Sequence, residues 1–125
     1  KDTPEPSNKN PFAGTKWENI RSVTDDRGET ETTVTEIHFI DDSRVAFSSS
    51  YKVTAPNGSI VRQDPTSKGE GTYTYEGLVA TVITEVVEEG KLIKHKGTLT
   101  MDAAKQKITA LEEGEDNPLI LTRKK

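Results

Sequence analysis

A chain of 125 residues suits one domain, and a hydrophobic content of 30% allows only a thin core beneath a polar surface. The net charge of −4 and a pI near 5.2 argue against a nucleic-acid partner, which would need clustered Lys and Arg to meet phosphates. Cysteine is absent, so disulfides, thiol nucleophiles and thiolate-held metals are excluded; no apolar run approaches the roughly 18 residues of a membrane-spanning helix.

Residues 1–11 (KDTPEPSNKNP) combine prolines and charges with no apolar side chain and read as a flexible tether. The domain proper is expected over 12–125. Its first strand carries Trp17, the single tryptophan, and ends at the turn Asp25-Asp26-Arg27-Gly28. Residues 29–40 (ETETTVTEIHFI) form the second strand, reversed by a three-residue loop at Asp41-Asp42-Ser43 that sets Phe39 against Val45 and Ile37 against Phe47. The third strand alternates Val45, Phe47, Ser49, Tyr51 and Val53 inward with Arg44, Ala46, Ser48, Ser50 and Lys52 outward. Pro56-Asn57-Gly58 is a strong turn signal before a short strand over 59–63, which would bring Arg62 near Tyr51.

The central stretch Gly71–Met101 is a β-meander with hairpin turns expected at Glu76-Gly77 and Glu89-Gly90. Counting from these, Tyr75 faces Leu78, Tyr73 faces Ala80 and Gly71 faces Val82. Across the second turn Ala80 faces Leu99, Val82 faces Gly97, Thr84 faces His95 and Val86 faces Ile93, all on one side. The other side pairs Glu85 with Lys94 and Glu88 with Lys91. Ile108 then falls opposite Met101, after a connection where 102–108 could hold a helical turn, and 119–123 (LILTR) is the closing strand. Eight or nine consecutive antiparallel strands with one apolar face leave two bare edges unless the last meets the first. The expectation is therefore an all-β fold, an up-and-down antiparallel barrel, with Gly71 and Gly97 flanking Val82 where the sheet bends. A Greek-key sandwich is the alternative.

The stretch Asn10-Pro11-Phe12-Ala13-Gly14-Thr15-Lys16-Trp17-Glu18, the Gly-x-Tyr and Thr-Leu-Thr-Met strands and the ending Leu119-Ile120-Leu121-Thr122-Arg123-Lys124 resemble the small lipocalin-like (calycin-like) β-barrel lipoproteins of Bacteroidetes. The spacing here is Gly-x-x-Trp, where lipocalins have Gly-x-Trp. The resemblance implies that Trp17 and a basic residue of the last strand, Arg123, pack together at the closed end of the barrel. It also implies a lipid-anchored protein of the bacterial cell envelope, in the periplasm or at the outer-membrane surface, whose lipid-bearing cysteine preceded Lys1. That anchor would be the chain's contact with a membrane.

For function, catalysis is not expected: the two histidines fall on opposite faces, and no nucleophile elbow, phosphate-binding glycine loop or cofactor motif is present. No cofactor or metal is implied. The acidic runs lie in turns, where solvated charge explains them, although residues 112–117 (EEGEDN) offer oxygens of the kind Ca²⁺ takes. The inner face is the better place for a site, because a barrel of this size either fills itself or holds one small ligand. The candidate ligand-binding residues are Phe47, Tyr51, Tyr73, Tyr75, Thr84, His95 and Met101, for a small apolar or amphipathic ligand. The alternative is a filled barrel acting as a protein–protein module, as a homodimer or with an envelope partner. It would use the outer-face residues Val79, Ile83, Val87 and Leu92 of the central hairpin.

Overall fold

Among the described residues, period-two alternation of apolar side chains with Thr, Ser, Glu and Lys produces nine antiparallel strands and no helix. The computed structural model describes residues 10–124, with the side chains of Val86 and Glu88 outside that description; residues 1–9 of the tether expected over 1–11, and the inward placement of Val86, therefore lie outside the described residues. The strands are β1 (Lys16–Thr24), β2 (Thr30–Phe39), β3 (Arg44–Thr54), β4 (Ile60–Gln63), β5 (Ser67–Glu76), β6 (Val79–Glu88), β7 (Lys91–Met101), β8 (Lys107–Glu112) and β9 (Leu119–Lys124). Eight of them close into an up-and-down barrel in the order β2-β1-β9-β8-β7-β6-β5-β3, with β3 returning to β2. The ninth, β4, pairs with the last residues of β3 beyond the wall and carries Arg62 to within 5.6 Å of the Tyr51 ring centroid. The expected helical turn after β7 is instead a tight turn in which Lys105 takes φ 60°.

Closure rests on a short seam. Strand β9 meets β1 in three residue pairs, Lys16↔Lys124, Trp17↔Arg123 and Glu18↔Thr122. Beyond them the strands part, and the Asn19 side chain bridges the gap by donating to the Ile120 carbonyl at 2.7 Å. On the outer side Lys124 lies between Glu18 and Glu36, which ties β9 to β1 and β2 together.

The three-residue loop between β2 and β3, the Glu89-Gly90 turn and the Ile108↔Met101 pairing all stand as the residue pattern requires. The first hairpin of the meander differs. Its two turn residues are Gly77 and Leu78, so Glu76 pairs with Val79, Tyr75 with Ala80, Tyr73 with Val82 and Gly71 with Thr84. Gly77 alone takes positive φ there (61°), the sign pattern of a II′ turn, whereas Glu89 and Gly90 are both positive (52° and 79°), the pattern of I′. The shift is by two residues, so every side chain keeps its face, but β5 slides by one layer against β6. Gly97 still pairs with Val82, while Gly71 flanks Thr84 instead.

The core lies at one end. Trp17, Phe12, Phe39, Val45, Met101, Ile108 and Leu121 are fully buried, and Phe12, Phe39 and Tyr73 pack in tilted and edge-to-face pairs with ring centroids 4.9 to 6.3 Å apart. Residues 10–15 cross beneath this end as a plug: Gly14 N–H donates to the Phe39 carbonyl (2.8 Å) and Phe39 N–H to that of Thr15 (3.0 Å). The Trp17 indole N–H donates to Thr15 Oγ1 at 2.7 Å, and the Arg123 guanidinium sits 5.7 Å from the indole. Asn10, expected in the tether, is buried within the plug.

Three connections near the barrel's ends use one device. Asp25 accepts from the Arg27 and Glu29 N–H groups, Asp41 from Ser43 and Arg44, and Asp102 from Gln106 and Lys107. These donors favour the carboxylate form. The Glu29 N–H leads in lowering the pKa of Asp25 and the Gln106 N–H that of Asp102. The Ser43 N–H, followed by the Arg44 side chain, holds Asp41 down at about 2, from an ordinary value of 3.8. These three carboxylates are thus structural parts of their turns.

Two outcomes follow from these placements. A Cβ on Gly71 would lie 2.3 Å from the Ile83 carbonyl oxygen and 2.8 Å from Thr84 Cγ2, whereas one on Gly69 meets nothing within 4 Å. Gly71→Ala should therefore cost about 1–3 kcal/mol in urea unfolding and Gly69→Ala less than about 1; equal effects would contradict the close β5–β6 approach. Because the folded-state pKa values of these aspartates lie below their unfolded values, their stabilisation is complete above the ordinary value of 3.8 and is lost as pH falls toward about 2. Thermal midpoints recorded between about pH 5 and 2 should fall mainly below pH 4, and Asp41→Asn should flatten that fall; a flat wild-type profile would contradict it.

Candidate functional site

Along the barrel axis the inward side chains change in size and polarity. The lowest layer holds the large groups Trp17, Phe39, Val45, Met101 and Ile108, all buried. The next inward position on each strand gives Ile37, Phe47, Val82, Leu99 and Ala110, and the one above gives Thr35, Ser49, Thr84, Gly97 and Glu112. Bulk that fills the closed end thins to hydroxyls and a bare glycine toward the other, leaving a cavity of about 490 Å³ in the open half. Its floor and walls are Ile37, Phe47, Val82, Leu99, Ala110 and Leu119; its polar groups include Thr35, Ser49, Thr84, His95 and Glu112. The volume falls within the range of roughly 300–1,000 Å³ typical of small-molecule sites.

The wall is parted beside this cavity. Strand β5 pairs with β6 from Gly71 onward, while Ser67, Lys68, Gly69 and Glu70 pair with β3. Ser67, Gly69 and Glu70 of β5 and Thr84 of β6 border the cavity where the two strands separate.

The polar feature of the cavity is a pair. Glu112 lies opposite Gly97, and with no side chain there its carboxylate reaches the diagonal neighbour His95, Oε2 to Nδ1 at 3.0 Å. A carboxylate on Nδ1 fixes the ring's orientation and favours the tautomer with that nitrogen protonated. Thr84 is His95's direct cross-strand partner on β6. His38 lies away from this pair, in a groove on the outer surface with Glu36 and Lys68. Among the described residues no group of three or more His, Asp or Glu gathers as a metal site.

Of the seven residues expected to bind a ligand, Phe47, Thr84 and His95 line the cavity and Tyr51, Tyr73, Tyr75 and Met101 do not. Met101 belongs to the closed-end core, and Tyr75 packs against that core from its edge. Tyr73 is buried with its hydroxyl donating to the Asp41 carbonyl and accepting from Asn10 Nδ2 at 3.0 Å; desolvation in that setting raises its pKa. Tyr51 stands above the cavity at the rim, where its hydroxyl donates to Glu31 at 2.8 Å, a bond that raises its pKa. Alternation identifies the inward face but not the height along the axis, and height separates these four from the other three. Trp17 and Arg123 face each other at the closed end, below the cavity. Glu112, the first residue of the acidic run 112–117, ends β8 rather than lying in the turn, and the alternation that turns Ile108 and Ala110 inward turns it inward too.

No family model, curated protein or solved structure matches this chain. Fold and site together define a class: a closed antiparallel up-and-down barrel, plugged at one end and carrying an apolar cavity with an imidazole–carboxylate pair at the other.

The plug is testable through Asn10, which donates to Asp42 and Tyr73 and accepts from the Phe12 and Ala13 N–H groups. Asn10→Ala strips partners from buried polar groups and should cost about 1–3 kcal/mol in urea unfolding. A loss below about 0.5 kcal/mol would show that the plug does not hold the closed end.

Proposed function

We propose that this protein binds a small apolar or amphipathic molecule in the open half of its barrel, without catalysing a reaction on it. The observation carrying this reading is the cavity of about 490 Å³, walled by aliphatic side chains and Phe47 and edged by a few polar groups. Burial of apolar ligand surface supplies the affinity, at roughly 25 cal/mol per Å² before the costs of association. Thr35, Ser49, Thr84, His95 and Glu112 orient the polar end. The filled lower half holds the wall in place, so the site is largely preformed.

A second reading has its own observation. On the outer face of the β6–β7 hairpin, Val87 and Leu92 are cross-strand partners exposed at 70% and 63%, and Val79 and Ile83 are exposed along the same strand. A stripe of this kind suits contact with a protein partner, a second copy included.

The uncharged apolar dye N-phenyl-1-naphthylamine separates the readings. Binding in the cavity gives a saturable fluorescence increase at one site per chain and a raised melting temperature. Gly97→Phe, whose side chain would project into the cavity, should abolish the signal while the barrel still melts cooperatively. Saturable binding that survives Gly97→Phe would contradict the cavity reading, as would a dimer that forms with concentration and takes up no dye.

A further inference from the structure

Resting on the ligand-binding reading, we infer that the cavity selects amphiphiles with a cationic or neutral hydrogen-bonding head, such as an alkylamine, and discriminates against fatty carboxylates. The ionisable residues lining the cavity are Lys68, Glu70, His95, Lys96, Glu112 and Glu115. Register sorts them. Lys96 is paired with the outward Ile83, and Lys68 also borders the outer groove with His38, so alternation turns both stems away from the interior. His95 and Glu112 are the inward pair, and their 3.0 Å contact sets a carboxylate at the top of a chamber whose lower walls are apolar. One imidazole contact leaves a carboxylate with further acceptor capacity, since its two oxygens offer about four lone-pair directions.

The surroundings share that sign. Of the loops at the open end, 25–29 holds three carboxylates against one cation, 113–118 holds three against none, and 55–59 holds no charge. At the rim Glu31 accepts from Tyr51, and the nearby Arg62 is forked onto Asp64. Arg21 does not line the cavity. An apolar tail reaching Ile37, Val82 and Leu99 would therefore leave its head beside Glu112, under loops that carry more carboxylates than cations. An ammonium there gains attraction and a charge-assisted hydrogen bond, whereas a second carboxylate meets repulsion, both moderated by water because the Glu112 side chain is 54% exposed.

The test displaces N-phenyl-1-naphthylamine with dodecylamine, dodecanol or dodecanoate, which share one tail, below their micellar concentrations at about pH 7.5 and physiological salt. The expected order is dodecylamine, then dodecanol, then dodecanoate, with at least about tenfold between the ends. Glu112→Gln should shrink that ratio below about threefold and leave dodecanol unchanged, while Glu113→Gln, one residue on, should change the ratio less than twofold. Equal displacement by all three, tighter dodecanoate, or an unchanged ratio in Glu112→Gln overturns the head-group inference alone. Failure of the dye and all three amphiphiles to bind overturns the ligand-binding reading as well.

Discussion

The barrel depends on its last strand meeting its first, and that meeting is brief: three residue pairs, with Trp17↔Arg123 in the middle. An open sheet of these strands would expose two edges and an apolar face to water. What makes so short a seam sufficient is its setting. The indole is fully buried, donates to Thr15 and carries the Arg123 guanidinium beside it, while Lys124 ties β9 to Glu18 and Glu36 on the outer side. Residues 10–15 then cross under the same end and complete the packing around Phe12, Phe39 and Tyr73. Closure and core formation therefore occupy one end of the molecule.

That concentration has a consequence at the other end. Strands long enough to reach the open rim carry smaller and more polar inward groups there, so the interior empties. The strands separate where the filling ends. Strand β1 leaves β9 after Glu18, and β5 meets β6 only from Gly71 onward. A rigid plugged half and a parted, hollow half are two results of one gradient in side-chain volume, the arrangement a preformed binding site needs.

Much of this was legible because period two is an unforgiving signal. The pairing of Ile37 with Phe47, of Ala80 with Leu99 and of Ile108 with Met101 could be counted from turn positions alone. The Gly77-Leu78 turn was misplaced because Glu76-Gly77 and Gly77-Leu78 both put a glycine in a two-residue turn. They differ in whether it sits second, as in I′, or first, as in II′. Height along the axis was the larger loss. Tyr73 and Met101 share a face with His95, yet they lie in the packed layer, because strand tilt and stagger set which residues stand level, and neither is written in alternation. The plug was hidden for a related reason: Asn10 looks like tether until its side chain is seen bridging Asp42 and Tyr73.

The account is tested most directly by amide chemical shifts mapped on titration with an uncharged apolar ligand. It predicts perturbations gathered at Thr35, Ser49, Val82, Gly97 and Ala110, the strand positions surrounding the cavity, with the closed-end amides of Phe39 and Met101 little changed. Shifts gathered instead on Val79, Ile83, Val87 and Leu92, with the interior silent, would place recognition on the outer face and contradict it.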